Sequence, residues 1–287
     1  MKILPVRPNL DFLLREAKAV KSAHRNADTG ICVIIGHYDT SLHGLTNKQI
    51  FDTRFSILDA QRVVARQYGF ASWSRLKQFV NLCDKGKHPS DPSLRDYIQK
   101  RHKLLLALQK DVKSKKKSYE EFTRETVAST DVLSSAYDIH GWPGPDVIGA
   151  DCVEAAWFVA ASALYDAEFQ RNTVDMTTNA LADGKLFGYC HAGVKDRYLT
   201  LTKKPTQYGL AFGAYYDSEG EFQLCIPAIE DPENVDKRRA TVGHISLKNE
   251  RDNYAREARE NNWKYGNRAD ALKELDRISS EAGYTQA

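Results

Sequence analysis

From Ala155 to Ala163 the chain reads A-A-W-F-V-A-A-S-A, without a single charge. Around this run the apolar residues recur at helical spacing, which predicts one helix over residues 147–165 with Val153, Ala156, Trp157, Ala160 and Leu164 on one face. A helix lacking a polar side cannot lie on a surface and has to be enclosed by other elements. The run is too short for the ~18 apolar residues that a membrane span needs, so the chain itself supplies the enclosure. At 287 residues, 42% of them hydrophobic, it has enough material for one large or two modest cores.

Helical periods flank this segment on both sides. Asn9 is a suitable N-cap for a helix carrying Leu10, Leu13, Leu14, Ala17 and Val20 inward, with Asp28, Thr29 and Gly30 ending it. Residues 31–35 read as a strand or a buried helical turn. A second pattern carries Leu58, Val63, Val64 and Ala65 and stops at Gly69. Ser72 then caps a helix with Trp73, Leu76, Phe79 and Val80. The pair has the outline of a helix-turn-helix, but its aromatic stripe sits at core spacing and its second helix has few basic residues, so packing explains it better than DNA reading. Residues 94–113 and 119–139 are two more helices. Lys113, Lys115, Lys116 and Lys117 make a cationic end to the first, where the helix dipole favours them in solvent.

The strongest turn and strand signals come later. Gly141, Pro143, Gly144 and Pro145 preset a tight turn anchored by Trp142. Residues 208–216 and 221–229 are rich in aromatic and β-branched types and are joined by Asp217, Ser218, Glu219 and Gly220, which predicts a hairpin over about 207–229. Pro227 limits its second strand. A helix over 232–242 follows, with Asp231 as N-cap, Pro232 at the first position, Glu233 paired with Lys237, Val235 and Val242 inward and Gly243 as the stop. The fold class is therefore α+β, predominantly helical with one hairpin. The expected division is a helical domain over 1–84, a linker over 85–93, a larger domain over 94–250 and a charged helical tail over 251–287, with Tyr254 and Trp263 as its docking points.

Two stretches carry resemblances. Pro8, Asn9 and Leu10, the Ala17, Lys18 step, and Asp59, Ala60, Gln61 through Y-G-F-A-S-W at 68–73 are similar to a small helical module found at the front of some bacterial proteins, ankyrin-repeat proteins among them. That resemblance covers residues 5–82 and implies an accessory domain; no ankyrin period follows. Residues 119–250 resemble a bacterial domain family with no assigned chemistry. Its pattern runs G-W-P, A-W, Q-H-x-D, D-R, Y-G-T-Q and P-I-E-D-P-E-N-V-D-x-R-R. Here Gly141, Trp142, Pro143, then Trp157, Asp196 and Arg197, Tyr208 and Gly209, and residues 229–239 match it. The chain departs where Q-H-x-D falls on Ala161, Ser162, Ala163 and Leu164, and where T-Q falls on Leu210 and Ala211.

The residues singled out as a site follow from these motifs. His140, Asp196, Arg197, Tyr208, Glu230 and Asp236 are candidates for catalysis, and Trp142, Trp157, Ser162, Asp231, Asn234 and Arg239 for holding a ligand. Arg197 is expected to pair with a carboxylate of the 230–239 stretch or to grip an anion. Adjacent Cys190 and His191 point to different faces of a helix. His37, Asp39 and His43 have only chance spacing for a metal, and none is expected; no P-loop, G-x-G-x-x-G or H-E-x-x-H is present, so no cofactor is expected either. A net charge of +3 makes nucleic acid an unlikely partner. A small molecule or peptide fits better, and self-association stays open. Five scattered cysteines and no apolar leader place the chain in the cytoplasm. The expected function is a cofactor-independent enzyme acting on a small molecule or peptide in a pocket of the second domain; the alternative is a non-catalytic binding or regulatory protein derived from such an enzyme by loss of the Q-H-x-D group.

Overall fold

A computed structural model describes residues 2–83, 89–164 and 166–281. Among these the chain forms fourteen α-helices and a two-stranded antiparallel sheet, an α+β fold dominated by helices. In chain order the helices of the first part are α1 (Leu10–Arg25), α2 (Thr29–Tyr38), α3 (Asn47–Asp52), α4 (Ile57–Gln67) and α5 (Trp73–Cys83). Then come α6 (Pro92–Lys113), α7 (Tyr119–His140), α8 (Pro145–Ile148), α9 (Val153–Ser162), α10 (Ala167–Ala182) and α11 (Gly188–Leu201). Strands β1 (Gly213–Tyr216) and β2 (Phe222–Cys225) precede α12 (Val235–Thr241), α13 (Leu247–Glu260) and α14 (Arg268–Glu281).

The uncharged helix is enclosed as its composition requires. Helix α9 touches α6, α7, α10 and α11, and Val153, Ala156, Val159 and Ala160 are fully buried. It is not one helix from 147, however. Gly149 interrupts it at φ +84, and a side chain there would meet the Arg95 guanidinium at 2.6 Å. Arg95 donates to the Ile148 carbonyl and grips Asp151 through both nitrogens at 2.7 Å, which holds the break open.

Caps explain most boundaries. Asn9 accepts the amides of Asp11 and Phe12 to start α1. Ser56 and Ser118 form capping boxes with Asp59 and Glu121. Residues 31–35 belong to a helix, because Asp28 caps α2 through the Gly30 amide instead of ending α1. Of the predicted linker, residues 85–88 lie outside the described part; Ser90 and Asp91 donate to the Asp146 and Val147 carbonyls, and Asp91 caps α6.

One hydrophobic cluster runs through α1–α11, drawing Leu13, Val63 and Phe79 together with Ile98, Ile148 and Val159. Phe70, Phe79 and Phe187 meet with ring centroids 4.9–5.2 Å apart. Above them Gly243, at φ +78, presses its backbone on the Y-G-F-A turn, so closely that a Cβ would sit 2.7 Å from the Ala71 nitrogen. A second, smaller cluster of Phe222, Ala258 and Trp263 ties the hairpin to α13, with Tyr254 and Tyr265 packed on it. The paired strands are shorter than predicted, four residues each. Helix α14 lies along β1 and reaches α11.

Candidate functional site

Helix α11 carries Asp196 inward to a position without solvent exposure. Its carboxylate accepts the amides of Gln207 at 2.7 Å, Tyr208 at 2.9 Å and Leu210 at 2.9 Å. Helix α12 approaches the same segment from the opposite side. Arg238 donates from Nε to the Gln207 carbonyl at 2.8 Å, and Arg239 from Nη1 to the Tyr208 carbonyl at 2.7 Å. A carboxylate thus takes the N–H groups of residues 207 and 208 while two guanidiniums take their C=O groups. Gly209 follows at φ +62, its Cβ position occupied to within 3.2 Å by Ile229 and Leu247.

Arg239 is the largest fully buried side chain. It also donates to the Ile245 carbonyl at 2.6 Å and to Glu250, whose other oxygen meets His244 Nε2 at 3.2 Å. Burial pushes the Glu250 carboxyl up, but His244 and Arg239 together draw it below the ordinary range. For Asp196 burial wins: the carboxyl is pushed up against the pull of its three amides and Arg239.

The motif around it behaves likewise. Asp231 does not cap a helix. It sits at φ 46 without a capping bond, because Arg238 gathers the carbonyls of Glu230 and Asp231 as well as the Asp231 carboxylate. Asn234 donates to Asp231 at 2.9 Å, and Lys237 to Asn234, not to Glu233. Glu230 accepts from the Gln207 side chain at 3.2 Å, and Asp236 from the Leu247 amide at 2.8 Å at the start of α13. Asp196, Tyr208, Glu230, Asp231, Asn234, Asp236 and Arg239 are therefore brought together.

The others are elsewhere. Arg197, one residue on from Asp196, points about 100° away on the helix, and it does not pair with the 230–239 stretch. It donates to the Ala161 carbonyl at the end of α9 and faces Tyr119 and Tyr254; burial lowers its pKa. The Ser162 hydroxyl is spent on the Phe158 carbonyl at 2.7 Å. Trp157 lies against Gly193, and Trp142 stacks on Tyr137. His140 meets Asp91 at 3.4 Å. Burial pushes the Cys190 thiol well up and lowers His191 to about 4. Asp39 is committed to Arg62 and Ser41, His43 to the Gly36 carbonyl, and no group of metal-binding side chains exists among the described residues.

A separate feature lies at the tail. An open groove of about 440 Å³ runs between β1 and the end of α13, lined by Tyr216, Arg259, Asn262, Trp263, Lys264 and Tyr265. Its shape comes from the helix terminus. Asn262 takes the left-handed conformation at φ 52 and Trp263 N–H returns to the Ala258 carbonyl at 2.9 Å, the Schellman turn that folds Trp263 back over α13. Lys113 covers one face of the Trp263 ring at 4.0 Å, so this lysine is not the solvated helix end that its charge run implied. Burial lowers it to about 8, against a smaller opposing effect of Glu257.

Glu250 and the groove cations were missed in the sequence. Glu250 has no local signal, since its partner lies on another helix; Trp263 and Tyr254 were legible only as docking aromatics. Comparisons of the chain with protein-family models, with curated proteins and with solved structures found no match.

Proposed function

We propose that this chain is a non-catalytic binding protein that holds a small molecule or peptide in the cytoplasm. One observation carries the reading: the two fully buried charged residues of the motif, Asp196 and Arg239, are already satisfied by the chain itself. Asp196 spends its carboxylate on three amides, and Arg239 spends its guanidinium on two carbonyls and Glu250. A general base or an oxyanion donor needs a free lone pair or N–H within reach of a substrate. These groups instead fix one loop. The cytoplasmic part of the reading is supported by five free, buried cysteines.

The enzyme reading keeps one specific support, the His244 and Glu250 pair, whose imidazole stacks on Tyr189 at 5.7 Å. The two readings separate in one experiment. The purified chain is incubated with a small-molecule and peptide extract, then examined by native mass spectrometry and by analysis of the extract. Compounds retained on the protein and recovered unaltered support binding. Any compound consumed in proportion to protein and time, with the loss abolished in His244→Ala, overturns it in favour of catalysis.

A further inference from the structure

We propose that the groove between β1 and the end of α13 binds a flat aromatic group bearing a phosphate, with the ring against Tyr216 and Tyr265 and the phosphate on Arg259 and Lys264. The inference deepens the binding reading and rests on it.

Its volume of about 440 Å³ falls within the range of small-molecule sites, about 300–1,000 Å³. Its walls are aromatic: Tyr216 and Tyr265 stand 6.3 Å apart between centroids at 53°, and Tyr265 meets the Trp263 ring edge-on at 6.4 Å. Tilted rings around an open space offer π-faces to a planar guest, and such stacking accepts any base. The polar side of the groove is cationic. Arg259 makes no ion pair among the described residues, and Lys264 donates only to the neutral Asn262 side chain at 2.7 Å. A guanidinium and an ammonium lining one groove suit the several oxygens of a phosphate.

Trp263 also lines the groove, so its indole N–H reports on a guest bound there. Lys113, 4.0 Å from the centre of the same indole, adds positive potential nearby. The phosphate and ring could belong to a free nucleotide or to a nucleotide within a single strand.

The test uses the full chain labelled with ¹⁵N, following the Trp263 indole N–H, assigned through Trp263→Phe. The probes are adenosine monophosphate, adenosine, inorganic phosphate and an eight-nucleotide oligo(A). The expected result is a saturable shift of that resonance with adenosine monophosphate, at least tenfold tighter than with adenosine or phosphate alone. Arg259→Gln and Tyr265→Leu should each weaken binding tenfold or more. Arg259 is exposed, so Arg259→Gln tests the site even if Tyr265→Leu fails to fold. A strand as the natural source appears as oligo(A) binding at least tenfold tighter than the monophosphate with strong salt dependence; equal affinity per nucleotide assigns the free nucleotide. No shift with any nucleotide, or unchanged affinity in Arg259→Gln, overturns the proposal. If native mass spectrometry then still finds another compound retained, the binding reading survives without this groove. If nothing is retained, both fall.

Discussion

Replacing Arg239 by alanine is the most direct measure of what the buried charges do. The side chain has no solvent exposure and makes hydrogen bonds to two carbonyls and to Glu250. Its removal leaves a buried carboxylate without its guanidinium, a loss of about 3–5 kcal/mol in comparable pairs. The two stranded carbonyls add about 1–3 kcal/mol each unless water enters the space. Allowing for that water, Arg239→Ala should destabilise by about 5 kcal/mol, much of the ~5–15 kcal/mol that holds a domain folded. Glu250→Gln should cost about 2–3 kcal/mol, and the double variant less than the sum by about 2 kcal/mol. Urea unfolding followed by circular dichroism at constant m-value gives all three numbers. Acid adds a second signature. Glu250 is held below the ordinary range, so its contribution is full above about pH 4.3 and is lost as pH falls through the folded value. Asp196 has the opposite sign: its carboxyl is raised, so its contribution is present below about pH 3.9 and lost as pH rises through its folded value. A cost below about 1 kcal/mol for Arg239→Ala would refute the structural role and return Arg239 to the list of available ligand groups.

Two further outcomes follow from the same reasoning. Gly243→Ala places a Cβ 2.7 Å from backbone of the Y-G-F-A turn at φ +78, whereas Gly220→Ala meets nothing at φ +80. The first should lower stability by about 3 kcal/mol or more, the second by about 1–2 kcal/mol, and equal effects on the melting temperature would disprove the close contact. Lys113, lowered to about 8 by burial, should titrate near that value by NMR of its ammonium group. A depressed lysine favours the folded state above the unfolded pKa of about 10.4, and this is lost as pH falls through about 8. Lys113→Met should remove that dependence, and a midpoint above 10 would contradict the packing under Trp263.

Where elements are decided by neighbours in the chain, they were legible. Helix α7 begins at residue 119 as predicted, Gly69 follows the end of α4, and the charge-free run predicts the enclosed α9. Where a distant side chain decides, the sequence misleads. The helix predicted over 147–165 is broken at Gly149, where Arg95, far upstream, occupies the space beside it. Asp231 has every local mark of an N-cap, yet Arg238 captures its carbonyl and turns it left-handed. Complementary charge suggested that Arg197 would pair with the 230–239 stretch, whereas it is Asp196 and the Arg238, Arg239 pair that meet at one segment. What charge could not reveal is that the two never need to touch, since both bind the main chain of residues 207 and 208.

Groups that hold main-chain atoms ask nothing of the side chains attached to them. Leu210 gives Asp196 only its amide, so its side chain is not what holds the segment, whereas the aspartate at 196 and the arginines at 238 and 239 are. The charged string at 229–239 is then the mark of a joint, spent on holding the 207–210 segment in place.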